Sequence, residues 1–139
     1  MIGASPGRSA VKFLLDSNVI IYHLNDDLNA EGNRLFELAA SSGSAYSILS
    51  RLEVLGFPMQ TESRQRALKV LQLFQELPVD NGSIDRAITL RSSLKIKTVD
   101  AIIAATALTM DLPLITRNSS DFQAIAGLTL IDPFQPSPS

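Results

Sequence analysis

The 139-residue chain has no cysteine, no tryptophan and a single histidine, His23. Without cysteine there can be no disulfide framework, thiolate metal site, thiol nucleophile or cysteine-held iron–sulfur cluster. Nothing in the composition calls for an oxidising compartment. Long apolar runs are also missing, and the stretch nearest the N-terminus, Val11 to Leu15, is too short for a membrane span or a secretory signal. A cytoplasmic setting without membrane contact is therefore expected. No sign of charge dominates: 12 Lys and Arg stand against 14 Asp and Glu, a net charge of -2. That balance argues against a generic basic nucleic-acid binder, because neutralising phosphates usually shows as a Lys/Arg excess. If four acids were committed to a metal site, 10 would remain against 12 bases, which suits a modest basic surface around an acidic pocket. The glycines form neither a dinucleotide fingerprint nor a Walker loop, so nucleotide cofactors are unsupported. His23 has no Ser or Cys nucleophile motif beside it and reads as an ordinary helix or loop residue.

What is present describes one globular domain with 45% hydrophobic and 19% charged residues. Residues 1–10 and 135–139, rich in Gly, Ser and Pro, read as loose tails around a domain at 11–134. Within it, short apolar runs alternate with helical patterns. Phe13 to Leu15, Ser44 to Ser47, Leu114 to Thr116 and Leu128 to Ile131 read as strands, and Val79 marks a further short one. Ser17 to Tyr22, Glu31 to Ala40, Ser50 to Leu55, Ser63 to Leu77, Ser83 to Ser93 and Asn118 to Ala124 read as helices, with a turn at Asn81-Gly82. Asp100 to Met110 is apolar nearly all round and should be a central, buried helix. Such alternation predicts a three-layer α/β/α sandwich with a mostly parallel sheet. In sheets of this kind the ligand crevice opens at the carboxyl ends of the strands, where their order reverses.

Four carboxylates fall where that crevice should be. Asp16 follows the first strand, Glu53 lies soon after the second, Asp100 opens the buried helix, and Asp121 is one turn beyond Leu114 to Thr116. Each has a plain alternative as a helix cap: Asp16 as an N-cap, and Glu53 and Asp121 in capping boxes with Ser50 and Asn118. Asp100, set between Val99 and Ala101-Ile102-Ile103, faces desolvation unless something positive meets it. Arg51 and Arg117 are the only cations near these acids in sequence, so a divalent ion is the more economical partner. Oxygen ligands without His or Cys suit Mg²⁺ or Mn²⁺, which can acidify water and stabilise charge in phosphodiester hydrolysis.

These residues carry a resemblance. Phe13-Leu14-Leu15-Asp16-Ser17-Asn18, Ser47-Ile48-Leu49-Ser50-Arg51-Leu52-Glu53, Val99-Asp100-Ala101-Ile102-Ile103-Ala104-Ala105 and Thr116-Arg117-Asn118-Ser119-Ser120-Asp121-Phe122 resemble, in order, the four motifs of PIN-domain ribonucleases. The VapC-type toxins are the nearest subfamily. The resemblance implies a Mg²⁺- or Mn²⁺-dependent endoribonuclease acting on RNA, neutralised by a VapB-type antitoxin and commonly a homodimer. It places Asp16, Glu53, Asp100 and Asp121 on the family's acidic positions, and Asn18 and Thr116 on polar positions supporting the first and last acids. Ser17 stands where the family more often has Thr.

Two rival readings stay open at this stage. One is a phosphohydrolase with Asp16 as covalent nucleophile, weakened because Asn18 stands where a second acid would be needed. The other is a binding module whose acids only cap helices. Arg64, Arg66 and Lys69 read as a solvated helix face, while Arg86, Arg91, Lys95, Lys97 and Arg117 could flank the pocket. Phe57, Met59, Leu71 and Phe74 read as core, or else as a groove for an antitoxin helix or a dimer face.

Overall fold

A computed structural model describes residues 12–135 of the chain. The expected tails lie outside the described residues except for Gln135, which bridges to Asp132. Five strands, β1 (Leu14–Leu15), β2 (Ala45–Ser47), β3 (Gln75–Leu77), β4 (Leu114–Ile115) and β5 (Leu130–Ile131), form one parallel sheet in the order β3-β2-β1-β4-β5. Seven further segments connect them: helices α1 (Ser17–Leu24), α2 (Ala30–Ser41), α3 (Ile48–Leu55), α4 (Thr61–Leu71), α5 (Asn81–Ser93) and α6 (Thr98–Met110), and a single 3-10 turn at Ser119–Asp121.

Strand alternation divides the core in two. Leu14 lies in register with Ala45 and Leu114, and all three pack with Ile103, Ala104 and Ala107 of α6. Leu15, beside Tyr46 and Ile115, packs with Val19 and Ile20 of α1, Phe36 of α2, Val54 of α3 and Val70 of α4. Successive strand residues thus point to opposite faces, and both faces are covered, as short parallel strands require. Behind α6, Ala101 and Ala105 meet Ala87 of α5, where small side chains let the helices approach closely. The three-layer α/β/α architecture and the buried last long helix are as the sequence implies. No described helix is long and apolar enough to cross a membrane.

Four local expectations need correction. The helix expected over Ser63 to Leu77 stops at Leu71, and Gln75–Leu77 forms β3 instead of a strand at Val79. The amide of Gln75 donates to Ser44 O at 2.9 Å, so the open edge of β2 satisfies backbone groups that another helical turn would have used. Asn81-Gly82 is not a turn but the start of α5, because Asp80 caps it: its Oδ1 accepts from the Ser83 amide at 2.8 Å. Ser83 itself is buried and does not cap. The helix expected over Asn118 to Ala124 is reduced to the 3-10 turn, since Phe122 and Ile125 are both drawn into the cluster beneath α6.

Gly32, in the first turn of α2, is fixed by space: a Cβ there would stand 2.8 Å from Pro133 O. Gly82, in the first turn of α5, meets only Asp80 Oδ1 at 3.6 Å. Gly32→Ala should therefore destabilise by about 1–3 kcal/mol through overpacking, whereas Gly82→Ala should stabilise by about 0.4–1 kcal/mol. Urea melts of the two variants check this. Equal signs would contradict the packing described at Pro133.

Candidate active site

The strand order reverses at β1: the chain runs outward through β2 and β3 on one side, then returns to lay β4 and β5 on the other. The chain leaves β1 into α1 and β4 toward the 3-10 turn at that point, and Asp16 and Thr116 are the residues that follow the two strands. The Asp16 amide still donates to Ile115 O at 2.9 Å, and the Thr116 amide to Ile131 O at 3.0 Å. Both side chains are consequently anchored on rigid strand ends.

Asp16 is only 6% exposed. It does act as the N-cap of α1, as the capping alternative supposed, with Oδ1 accepting from the Ser17 amide at 2.7 Å. Its Oδ2 accepts from Thr116 Oγ1 at 2.8 Å and from Asn18 Nδ2 at 3.3 Å. Desolvation pushes its pKa up to about 6 against the lowering effect of the Thr116 and Ser17 hydrogen bonds, and the charges of Asp100 and Glu53 add to the rise. Capping alone does not explain a carboxylate held at such a disadvantage.

Glu53 projects from α3. The capping box expected with Ser50 does not form, because α3 begins at Ile48 and Ser47 caps it, accepting from the Leu49 amide at 3.1 Å. Instead Ser17 Oγ hydrogen-bonds Glu53 Oε1, and Ser50 Oγ lies 2.8 Å from Ser17 Oγ. Asp100 sits in the first turn of α6 without capping it. Burial raises its pKa, the charges of Asp121 and then Glu53 raise it further, and Lys97 opposes them.

Asp16, Glu53 and Asp100 line one cleft of about 180 Å³ together with Asn18 and Asn118. Asp121 is exposed on the 3-10 turn and does not line that cleft, although its charge reaches Asp100. Its amide, rather than its carboxylate, meets Asn118, donating to Asn118 O at 3.0 Å. Asn18 and Thr116 both bond Asp16, and Thr116 Oγ1 also accepts from the Asn118 amide at 3.1 Å. Neither supports Asp121. Sequence reasoning did not single out Ser17, Ser50 or Asn118 as members of the site. For the two serines the signal was a spacing of three residues between Ser50 and Glu53, which places them on one helix face.

Two of the cations near these acids in sequence are engaged elsewhere, while Lys97 acts on Asp100 through its charge without forming an ion pair. Arg51 pairs with Glu76 at 2.7 Å, while Arg117 pairs with Asp132 at 3.1 Å and lies over the Phe134 ring at 4.6 Å. Among the described residues no acid of the cleft belongs to an ion pair. The oxygen-only donor set, the raised Asp16 and Asp100 pKa values and the lack of an ion pair to either acid among the described residues fit a hard divalent ion. Among the described residues no three acids stand close enough to clasp one ion by themselves.

The PIN domain family matches residues 13–128, which include the whole sheet except β5 and all the acids of the cleft. The chain belongs to the PIN domain family. Among solved structures, this PIN domain is similar to a toxin–antitoxin complex from Klebsiella pneumoniae, with 29% identity and a TM-score of 0.71 over 88% of this chain and 98% of that one. It is also similar to FitAcB from Neisseria gonorrhoeae, at 25% identity and a TM-score of 0.73 over 88% and 98% of the two chains. DNA-bound VapBC from Salmonella typhimurium shares the fold at 22% identity, with a TM-score of 0.74 over 88% of this chain and 98% of that one. Comparison with curated proteins gives no match.

Burial of Asp16 gives a pH test. Its folded pKa of about 6 lies above the ordinary value of 3.8, so the folded chain holds the proton more tightly than the unfolded one. Its contribution is intact below the lower value and is lost as pH rises through about 6, reaching about 3 kcal/mol at neutral pH. In EDTA, Asp16→Asn should therefore gain on wild type by up to that amount between pH 4 and 7.5. A pH-independent difference in urea melts would contradict desolvation as the cause.

Proposed function

We propose that this PIN domain is a divalent-metal-dependent endoribonuclease and the toxin of a toxin–antitoxin pair. The observation that carries the reading is the pair of desolvated carboxyls, Asp16 and Asp100, facing one cleft at the sheet's reversal point with no ion pair to either among the described residues. Asp16 and Asp100 are the residues to hold a Mg²⁺ or Mn²⁺ ion, with Glu53 and the exposed Asp121 contributing from the rim. Such an ion supplies an acidified water and neutralises phosphate charge. Thr116, Asn18 and the Ser17 amide fix the direction of the Asp16 carboxylate, and Ser17 Oγ fixes that of Glu53. Asn118 adds an uncharged polar group to the cleft that can meet a ribose hydroxyl or a phosphate oxygen.

Covalent attack by Asp16 fits less well. Both its oxygens are held by hydrogen bonds from the strand ends, and the residue two positions on is Asn18, which donates to it. A purely binding role leaves the desolvation of Asp16 and Asp100 without a purpose.

A VapB-type antitoxin is the partner this reading assigns, in keeping with the toxin–antitoxin neighbours. Ile21 of α1 lines both the acidic cleft and an apolar groove of about 280 Å³ walled by Leu24, Val54, Phe57, Met59 and Ala67. A partner segment could set apolar side chains in that groove and reach an Arg or Lys into the cleft, displacing the ion's charge with its own. Leu71 and Phe74 are buried core, but Phe57 is half exposed, so the four apolar residues divide between the two roles considered from sequence. A homodimer through exposed apolar residues such as Ile84 and Ile88 of α5 belongs to the same reading.

Purified protein should cleave RNA with Mg²⁺ or Mn²⁺ and not with EDTA, and Asp16→Asn or Asp100→Asn should lower the rate about 10²-fold or more. Full cleavage in chelator would overturn the metal-dependent reading. Phe57→Asp should weaken capture of a co-expressed VapB-type antitoxin without lowering RNA cleavage in its absence. Unchanged capture in a pull-down would remove the apolar groove from the partner surface.

A further inference from the structure

Ser47 and Ser50 are both buried on or beside α3, three residues apart, yet they do different work. Ser47, 1% exposed, caps the helix through the Leu49 amide. Ser50, fully buried, makes no capping bond; its hydroxyl faces α1, 2.8 Å from Ser17 Oγ, and it does not line the acidic cleft. Ser17 Oγ also bonds Glu53 Oε1. A hydroxyl has one proton to give and two lone pairs to accept with. Ser17 Oγ is placed as the donor in both contacts, so its single proton is shared between Ser50 Oγ and Glu53 Oε1. Through Ser17, which contacts both, an otherwise exposed glutamate is tied to two buried hydroxyls on two different helices.

We propose that Ser50 is a positioning residue for the metal site, acting on Glu53 through Ser17. The contact with Ser50 holds the Ser17 side chain in the rotamer that sets its Oγ against Glu53 Oε1. Without it, Ser17 can turn to other acceptors, and the long Glu53 side chain recovers the rotamer freedom its exposure allows. Outer partners of this kind typically carry a factor of 10 to 100 in metal affinity or activity. The inference rests on the metal-dependent nuclease reading above.

The test compares Ser50→Ala with Ser47→Ala, using Mn²⁺ alone as the probe. Mn²⁺ affinity is read by electron paramagnetic resonance, and stability by thermal melts in EDTA. Ser50→Ala should weaken Mn²⁺ binding about 10-fold or more while its melting temperature in EDTA stays near that of wild type. Ser47→Ala should show the reverse, a lower melting temperature from the lost cap and wild-type Mn²⁺ affinity. In a Glu53→Ala background, Ser50→Ala should have no further effect on Mn²⁺, because the route between them is gone. Wild-type Mn²⁺ affinity in Ser50→Ala would overturn the positioning role while leaving the nuclease reading intact. An equal Mn²⁺ loss with Glu53 absent would overturn the route. No Mn²⁺ binding by the wild-type protein would instead overturn the nuclease reading and this inference with it.

Discussion

A carboxylate at the end of β1 is kept out of water, and the neighbouring structure is arranged around that fact. Asp16 caps α1, receives the Thr116 hydroxyl from the end of β4 and takes a further bond from Asn18, so a strand, a helix and a second strand meet on one side chain. These bonds orient the group but do not return the hydration it has lost, as its raised pKa records. The sheet order makes the arrangement possible, because at the point of reversal the connections leaving two adjacent strands run to opposite sides and leave room for a cleft.

Around Asp16 the other acids are graded by exposure. Asp100 is partly desolvated at the start of the buried helix, while Glu53 and Asp121 come from exposed positions on α3 and the 3-10 turn. The exposed acids can turn toward a substrate or retreat from it, whereas Asp16 cannot. Ser17 and Ser50 reduce that freedom for Glu53, and among the described residues no hydrogen bond does so for the Asp121 carboxylate. The result is a centre that is rigid at its floor and open at its rim, consistent with a site meant to admit a long polymer rather than to enclose a small molecule. Arg51 and Arg117, paired with Glu76 and Asp132, are kept from neutralising the acids, and the charge of Lys97 only partly offsets the rise at Asp100, so an ion or a partner's cation is favoured in the cleft.

Much of this was legible in the chain. Leu14-Leu15-Asp16 and Leu114-Ile115-Thr116 announce short buried strands that end in polar residues, and the alanine-rich run after Asp100 announces a helix that packs on all sides. Four ordered motifs were enough to name the family, because acids at those four places are not needed together by any single local structure. Capping boxes were the weaker inference. Ser50 with Glu53 fits the pattern, but the true start of α3 lies at Ile48, and the local rule is blind to a hydroxyl arriving from α1.

The alternation of strands with helices, the apolar periods and the identity of the acidic residues were determined by sequence alone, because each depends on spacing along the chain. Three things were decided only by tertiary structure. Gln75–Leu77 became a strand because the edge of β2 offered it hydrogen bonds, and no propensity in those residues records that edge. Asp121 stayed outside the cleft because burial of Phe122 and Ile125 fixed the turn that carries it. Glu53 was joined to Ser17 and Ser50 because α1 and α3, 33 and 36 residues apart at the contacts, are pressed together by the core they share. A side chain's chemistry is written in its residue type, but its desolvation and its partners depend on which distant segments the fold brings against it.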